Sequence, residues 1–205
     1  MKTNLTVTIG REFCSGGALI ARRVAELLEI PFYDKEIIDG AVKITDLPEK
    51  TVTAHDEQPL GYFSVGGYQY GFNWYTDDPS LLLPMGMRVA EAQFDVMRKA
   101  AAEGPCVVVG RCADYVLEDC ENKLNVFIKA DLSHRISTAC RRYDISREEA
   151  KRLIRKTDRI RSSYYHYYTQ QVWGASENYD LIIDTSKVDA ETAAAMIVLA
   201  AKCGE

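Results

Sequence analysis

The sequence has no run of 18 or more apolar residues, so we expect no membrane-spanning helix. Residues 1–4 lead directly into a strand-like segment without the apolar core of a secretory signal, which favours a cytoplasmic protein. Histidine is scarce, with three in 205 residues, and the six cysteines form no Cys-x-x-Cys pair. These shortages argue against a structural zinc site and a disulfide framework, and we expect reduced thiols.

The composition is that of an ordinary globular protein. Its 205 residues suit one domain, residues 1–205. Of these residues 47% are hydrophobic, which is enough to build a core without disulfide bonds or structural metal ions. The net charge of −5 is unevenly spread, because segment 135–161 carries ten basic and four acidic residues. Such a protein is a poor candidate for binding nucleic acid. One basic segment in an acidic chain better suits a small phosphorylated ligand.

Short β-branched or apolar runs alternate with stretches of helical spacing along most of the chain. The patterns predict strands at 5–9, 31–33, 106–109, 124–128 and 179–183, and helices at 18–28, 34–42, 85–103, 132–143, 146–172 and 190–202. The helix at 146–172 opens with a capping box, Ser146 to Glu149. This alternation is typical of an α/β domain with a mostly parallel central sheet flanked by helices.

Residues 45–84 interrupt this order. They show no period, hold four of the six prolines and contain seven aromatic residues. We expect an irregular or partly helical insertion that forms a lid or a binding loop.

The segment from Gly10 to Gly17 joins the first strand to the first helix, which is where phosphate-binding loops lie. Successive backbone N–H groups and the helix N-terminus favour an anion there, and Gly16-Gly17 lets the backbone come close to it. The same two glycines would also serve a tight turn that binds nothing, and both interpretations stay open.

This loop departs from the P-loop pattern Gly-x-x-x-x-Gly-Lys-Ser/Thr. With Gly16 as the second glycine, Arg11 takes the place of the first glycine, Gly17 that of the lysine and Ala18 that of the hydroxyl residue. Backbone groups at Ser15, Gly16 and Gly17 can still bind ATP phosphates, but the usual cation is missing. Arg11 is the candidate to replace it.

Further segments complete a pattern that extends over most of the chain outside residues 45–84. They are 9–17 (IGREFCSGG), 30–38 (IPFYDKEII), 109–117 (VGRCADYVL), 158–165 (DRIRSSYY), 173–174 (WG) and 179–186 (YDLIIDTS). In this order they resemble the cytidylate kinase-like family. The resemblance implies the fold of the P-loop nucleoside monophosphate kinases and Mg²⁺-dependent transfer of a phosphoryl group from ATP to a nucleotide, with CMP or dCMP as the expected acceptor.

The resemblance also implies residues for the acceptor. Asp34 lies where true cytidylate kinases have an aspartate that opens the substrate-side helix, although it would also serve as an ordinary helix cap. Gly110-Arg111 matches their Gly-Arg-Asp, but Cys112 stands at the third position and Asp114 comes two residues later. We expect Asp34, Arg111 and Asp114 to bind the substrate. No residue is assigned to Mg²⁺.

Asp158 to Arg161 fits the Asp-x-x-Arg spacing of the family's lid. Phosphoryl transfer needs positioning and cations, and arginine grips phosphate with two parallel hydrogen bonds. We therefore expect Arg155, Asp158 and Arg161 to be catalytic, with Arg159 on the ATP phosphates, along the lid helix 146–172. A solvated basic helix face is the alternative.

Other hypotheses remain open on the same fold. The missing loop lysine would also suit a nucleotide-binding protein with little or no catalysis, and the divergent insertion would suit a kinase of another small metabolite. In the insertion, Tyr70, Trp74 and Tyr75 could stack on a base or contact a second subunit in a homodimer. The run from Tyr164 to Tyr168 favours packing of its helix over base stacking.

Overall fold

Five strands pair in parallel in the computed structural model, which describes residues 5–58 and 84–203. The strands of this part of the chain are β1 (Thr6–Arg11), β2 (Phe32–Tyr33), β3 (Cys106–Val109), β4 (Lys123–Lys129) and β5 (Leu181–Asp184). Their order in the sheet is β2-β3-β1-β4-β5. The predicted α/β fold with a parallel central sheet is therefore confirmed.

Helices connect successive strands. They are α1 (Gly17–Leu28), α2 (Lys35–Thr45), α3 (Glu49–His55), α4 (Met85–Glu103), α5 (Ala113–Val116), α6 (Leu132–Tyr143), α7 (Arg147–Thr169) and α8 (Ala190–Cys203), with a short 3-10 helix at Ser176–Asn178. None of the helices in the described ranges combines the length and the hydropathy needed to cross a bilayer.

The sheet separates two hydrophobic clusters, because alternate side chains of a strand point to opposite faces. On one face, Val7 and Ile9 of β1 pack with Val107 of β3, with α1 and with α8. On the other face, Val108 of β3 packs with α4 and with Tyr164 of α7. With both faces covered, β3 is fully buried, as its continuous apolar run predicts.

Helix α7 begins at the predicted capping box. The hydroxyl of Ser146 accepts a hydrogen bond from the backbone N–H of Glu149, and the Glu149 carboxylate accepts one from the N–H of Ser146. Tyr164 and Tyr165, near the other end of α7, are buried against the sheet, so packing is the observed role of these two tyrosines.

The insertion is partly helical, as expected, because it contains α3. The remaining residues of the insertion from 59 to 83, with Tyr70, Trp74 and Tyr75, lie outside the described residues.

Parallel pairing brings the ends of β1 to β4 to one edge of the sheet, called the carboxyl edge below. Ligands of open α/β sheets bind beyond this edge. The segments that follow the strands there include the glycine loop (residues 10–17), Asp34 and Gly110-Arg111. The chain after α3 also reaches this edge and places Asp56 and Glu57 there.

Candidate functional site

A cavity of about 20 Å³ lies at the carboxyl edge and is lined by charged and by aromatic side chains. The charged lining consists of Arg11, Glu57, Arg111, Asp114 and Arg161. The aromatic lining consists of Tyr164, Tyr165, Trp173 and Tyr179. Four of the five charged residues were expected at a binding site from the sequence, and Glu57 was not.

Glu57 is at the centre of the charged lining of the cavity. One carboxylate oxygen accepts hydrogen bonds from Arg11 Nη1 at 2.5 Å and from the backbone N–H of Arg111 at 3.1 Å. The other accepts one from Arg161 Nε at 3.0 Å. Burial alone would raise the pKa of Glu57, but the three arginines outweigh it and hold this pKa well below its usual range. The three arginines therefore favour the charged form of the Glu57 carboxylate.

Arg111 holds two further carboxylates. Its side chain is only 3% exposed, and its Nε and Nη2 bind the two oxygens of Asp56 at 2.7 and 2.8 Å. Its Nη1 donates to Asp34 Oδ1 at 3.2 Å. Burial would lower the pKa of Arg111, but Asp56, Glu57 and Asp34 raise it above its ordinary value. The structure thus brings together Arg111 and Asp34, two residues expected at the substrate side.

The ion pair between Asp34 and Arg111 replaces the helix-capping role that the sequence suggested for Asp34. Asp34 directly precedes α2, but its side chain makes no capping hydrogen bond. The Glu36 carboxylate accepts the N–H of Asp34 instead. The Asp34 carboxylate is drawn to Arg111, because a buried guanidinium needs charged acceptors more than an exposed helix end does.

Helix α4 supports this arrangement through Gln93. Its side-chain amide donates to Asp56 Oδ1 at 2.9 Å, and the residue is fully buried. Asp56, Glu57 and Gln93 were missed by the sequence reasoning. Gln93 carried a usable signal, because it is a polar residue among the apolar positions that α4 buries, such as Val89 and Met97. Asp56 and Glu57 carried none, because they lie in a segment without a period.

Arg11 fills space that two glycines leave open. A Cβ atom on Gly17 would lie 2.5 Å from the Cβ of Arg11. A Cβ atom on Gly110 would lie 2.6 Å from the guanidinium carbon of Arg11. The stem of Arg11 therefore crosses Gly17, and its charged end lies over Gly110. Arg11 accordingly lies inside the site, which is where a substitute for the missing loop lysine has to be.

Arg161 joins α7 to the glycine loop. Its Nη1 donates to the carbonyl of Arg11 at 3.3 Å, and its guanidinium carbon lies 5.8 Å from the centre of the Phe13 ring. Burial and, after it, repulsion by Arg11 lower the pKa of Arg161, and Glu57 opposes both. Two like charges are thus held close together by one carboxylate.

Asp158 also binds the glycine loop, but outside the cavity. Its Oδ1 accepts the backbone N–H of Phe13 at 2.8 Å, and its Oδ2 accepts from Arg135 Nη1 at 2.5 Å. The same Arg135 lies 3.5 Å from the carboxylate of Glu12. In this geometry Asp158 positions the loop, and its predicted part in the reaction stays a prediction.

The residues of the loop itself are held by bonds within the protein. The buried hydroxyl of Ser15 donates to the carbonyl of Glu12 at 2.9 Å. Gly16 adopts a φ of +86° directly before α1, a conformation that favours glycine. The first N–H groups of α1 have no partner within the helix, as at any helix start, and they provide backbone donors for an anion. The predicted phosphate contacts at Ser15, Gly16 and Gly17 stay predictions.

Asp114 bonds to the aromatic lining of the cavity. Tyr165 donates a hydrogen bond to Asp114 Oδ2 at 2.6 Å. Burial raises the pKa of Asp114, and the Tyr165 hydroxyl partly offsets this. Asp114 therefore lines the same cavity as Arg111, through contacts of its own.

Arg155 and Arg159 are exposed on α7. Neither side chain lines the cavity, and neither bonds to another residue within the ranges 5–58 and 84–203. Their predicted roles on the phosphates stay predictions.

Comparison with known sequences places the chain in a family. The profile of the cytidylate kinase-like family matches residues 6–187. The chain belongs to the cytidylate kinase-like family. No curated protein matches the chain.

Solved structures support a kinase fold for this cytidylate kinase-like chain. An uncharacterized protein from Eubacterium ventriosum is 29% identical with a TM-score of 0.72, over 97% of this chain and 98% of that one. A shikimate kinase from Acinetobacter baumannii, in complex with shikimate, is 12% identical with a TM-score of 0.54, over 100% and 96% of the two chains. A gluconokinase from Sinorhizobium meliloti is 15% identical with a TM-score of 0.51, over 100% and 93%. The similarities to the shikimate kinase and the gluconokinase show only a shared fold.

Kinases of this kind use ATP and Mg²⁺ in general. The glycine loop carries backbone donors, and Arg11 and Arg161 carry guanidinium donors, of the kinds that proteins use to bind phosphate. No three His, Cys, Asp or Glu side chains in the described part of the chain come together as metal ligands. Mg²⁺ in kinases usually takes one or two carboxylates and completes its shell with phosphates and water. The residues present therefore fit Mg²⁺ that arrives bound to the nucleotide.

Proposed function

We propose that this protein transfers the γ-phosphoryl group of ATP to a small acceptor at the carboxyl edge, with CMP or dCMP as the first acceptor to test. Family membership supports a phosphotransferase. The observation that carries the proposal is the convergence of Arg11 and Arg161 on one point beside the glycine loop. Two guanidinium groups at that point can neutralise a group whose charge spreads over its oxygens.

In the proposed reaction an acceptor oxygen attacks the γ-phosphorus, and the bond from that phosphorus to ADP breaks. Arg11 and Arg161 hold the transferring group, and Asp34, oriented by Arg111, holds the acceptor. Asp158 fixes the glycine loop through the N–H of Phe13. Positioning and cations account for most of the catalysis in such a reaction.

A coupled assay of ADP release over the common nucleoside monophosphates tests this function. We expect turnover with CMP or dCMP and a kcat about 100-fold lower for Arg161→Gln, because one preorganised donor contributes a factor of this order. Arg152→Gln, an exposed arginine on the same helix, is the matched control and should leave the rate unchanged. A folded protein without turnover on any of these nucleotides contradicts the acceptor assignment.

A kinase for a hydroxyl acceptor is the second candidate. Three carboxylates, Asp34, Asp56 and Glu57, oppose the three arginines at the edge, so the cluster offers little net positive charge to a phosphate dianion. Asp34 could instead accept the proton of a hydroxyl group, as a general base does. ADP release with hydroxy acids or sugars, and none with nucleotides, would favour this candidate.

Binding without catalysis is the remaining alternative. This alternative predicts that ATP raises the melting temperature of the protein. It also predicts no ADP release with the nucleoside monophosphates or with the hydroxy acids and sugars.

A further inference from the structure

Glu57 lies where an external anion would otherwise bind. Two guanidinium groups and one backbone N–H converge on its carboxylate, all within 3.1 Å. Charged forks combined with main-chain N–H groups are the donors by which proteins bind phosphate. A carboxylate can satisfy these donors because it carries negative charge on two oxygens, and a phosphoryl group can do so with three.

Arg11 and Arg161 depend on Glu57 for the neutralisation of their charges. Among the described residues, neither Arg11 nor Arg161 has another carboxylate within ion-pair distance. The guanidinium of Arg111 makes its ion pairs with Asp56 and Asp34 and none with Glu57. The Glu57 carboxylate therefore forms its own ion pairs with the two cations beside the glycine loop.

We propose, on the basis of the proposed function, that Arg11, Arg161 and the N–H of Arg111 form the site of the transferring phosphoryl group, and that Glu57 occupies this site until phosphate displaces it. The glycine loop provides one side of the site and α7 the other. Glu57 then acts as an internal competitor of the substrate.

The space beside Glu57 has room for about one further atom of the size of an oxygen. The 20 Å³ cavity adjoins Glu57 and is also lined by Tyr164. The Tyr164 hydroxyl is buried and has no hydrogen-bond partner among the described residues. A third anionic oxygen in this cavity would provide the acceptor that Tyr164 lacks, which the two oxygens of Glu57 do not.

The backbone around Glu57 suits displacement. Glu57 adopts a φ of +50°, which is uncommon for a residue other than glycine, and it lies beyond the end of the seven-residue helix α3. The hydrogen bond from the N–H of Gln58 to the carbonyl of His55 is 3.2 Å long. The ion pairs of its side chain therefore do much to hold Glu57 in this conformation.

The need to displace Glu57 lowers the apparent affinity of the site for phosphate. Only the fraction of molecules in which Glu57 has left the site can bind phosphate. Inorganic phosphate, titrated without nucleotide or acceptor and followed by calorimetry, measures this directly. We expect weak binding to the wild type and a dissociation constant at least about 10-fold lower for Glu57→Gln, which keeps the shape but removes the competing charge. Glu49→Gln, the same change at an exposed position of α3, should leave the affinity unchanged.

Two further variants locate the effect. Glu57→Gln combined with Arg161→Gln should lose the gain in affinity, because one of the two cations is gone. Glu57→Asp keeps the charge but withdraws it by one methylene, and its affinity should lie between those of the wild type and Glu57→Gln. An unchanged or weaker affinity in Glu57→Gln overturns the proposal.

If removal of this charge prevents folding, a measurement on the wild type decides. Amide hydrogen exchange of residues 49–58 should become faster when phosphate saturates the protein, because Glu57 leaves its partners. Unchanged exchange at saturation, or no binding of phosphate by the wild type and Glu57→Asp, overturns the proposal.

These outcomes are separate from those of the kinase assay. Tighter phosphate binding by Glu57→Gln in a protein that releases no ADP would retain the phosphate site and contradict the proposed function. Turnover in the wild type without any gain of phosphate affinity in Glu57→Gln would retain the proposed function and overturn the role of Glu57.

Discussion

The side chain of Arg11 begins where a side chain at Gly17 would have to begin, since the two Cβ atoms would be 2.5 Å apart. Only one of these positions can therefore carry a side chain. In the P-loop pattern the glycine comes first and the lysine seventh, and in this chain an arginine comes first and a glycine seventh. The cation and the glycine have exchanged places, and a charged side chain still crosses the loop.

Substitution of Gly17 tests this exchange. Gly17→Ala should destabilise the fold by about 1–3 kcal/mol, since an added methyl group overpacks a filled site. Arg11→Gly removes the obstructing Cβ, so Gly17→Ala should cost much less in that background. Urea unfolding of the four proteins of this cycle gives the coupling energy. Equal costs of Gly17→Ala in both backgrounds would contradict the steric argument.

Arg111→Lys should destabilise the protein by roughly 3–5 kcal/mol. A lysine cannot reproduce the fork that binds both oxygens of Asp56, and it leaves buried carboxylates poorly paired. Thermal or urea unfolding measures the effect. Arg98→Lys is the matched control, because Arg98 pairs with Asp95 on the surface and such pairs contribute at most about 1 kcal/mol. Similar losses for both variants would contradict a special role of Arg111.

Much of the fold could be predicted from local patterns. The predicted bounds of α4, β3 and α6 agree with the structure, because each of these segments carries a strong period or an unbroken apolar run. Gly104-Pro105 also marks the end of α4 clearly. The resemblance in motif order gave the family, which the match over residues 6–187 supports.

The arginines of the site were predicted, but only part of its carboxylates was. Arg111 and Asp34 follow strands, and parallel pairing fixes the ends of strands at one edge. Asp56 and Glu57 come from an aperiodic segment, and which arginines they meet depends on a long-range contact that no local pattern encodes.

Asp158→Asn should loosen the glycine loop. An asparagine can keep one hydrogen bond to Phe13, but among the described residues it leaves Arg135 with a single carboxylate partner, Glu12 at 3.5 Å. We expect a lower melting temperature and, in an active enzyme, a KM for ATP raised more than kcat is lowered, since the loop is displaced rather than removed. Arg155→Gln, at an exposed position of the same helix, should change stability by less than about 0.5 kcal/mol. A fall in kcat alone for Asp158→Asn would instead support direct participation in the reaction.

The dependence of stability on pH should carry opposite contributions from Glu57 and Asp114. The pKa of Glu57 is lower in the folded protein than the ordinary glutamate value of 4.5, so its stabilising contribution is complete above that value and is lost as pH falls below it. The pKa of Asp114 is higher than the ordinary aspartate value of 3.8, so ionised Asp114 disfavours the fold, and this cost appears as pH rises above 3.8.

Unfolding free energies between about pH 3 and pH 7 separate the two contributions. Glu57→Gln should be far less stable than the wild type at neutral pH, and this difference should shrink in acid. Asp114→Asn, which can still accept the Tyr165 hydrogen bond, should gain stability relative to the wild type as pH rises. A stability difference for Glu57→Gln that stays constant over this range would show that Glu57 acts through its shape and not through its charge, because only the charged form is paired with Arg11 and Arg161.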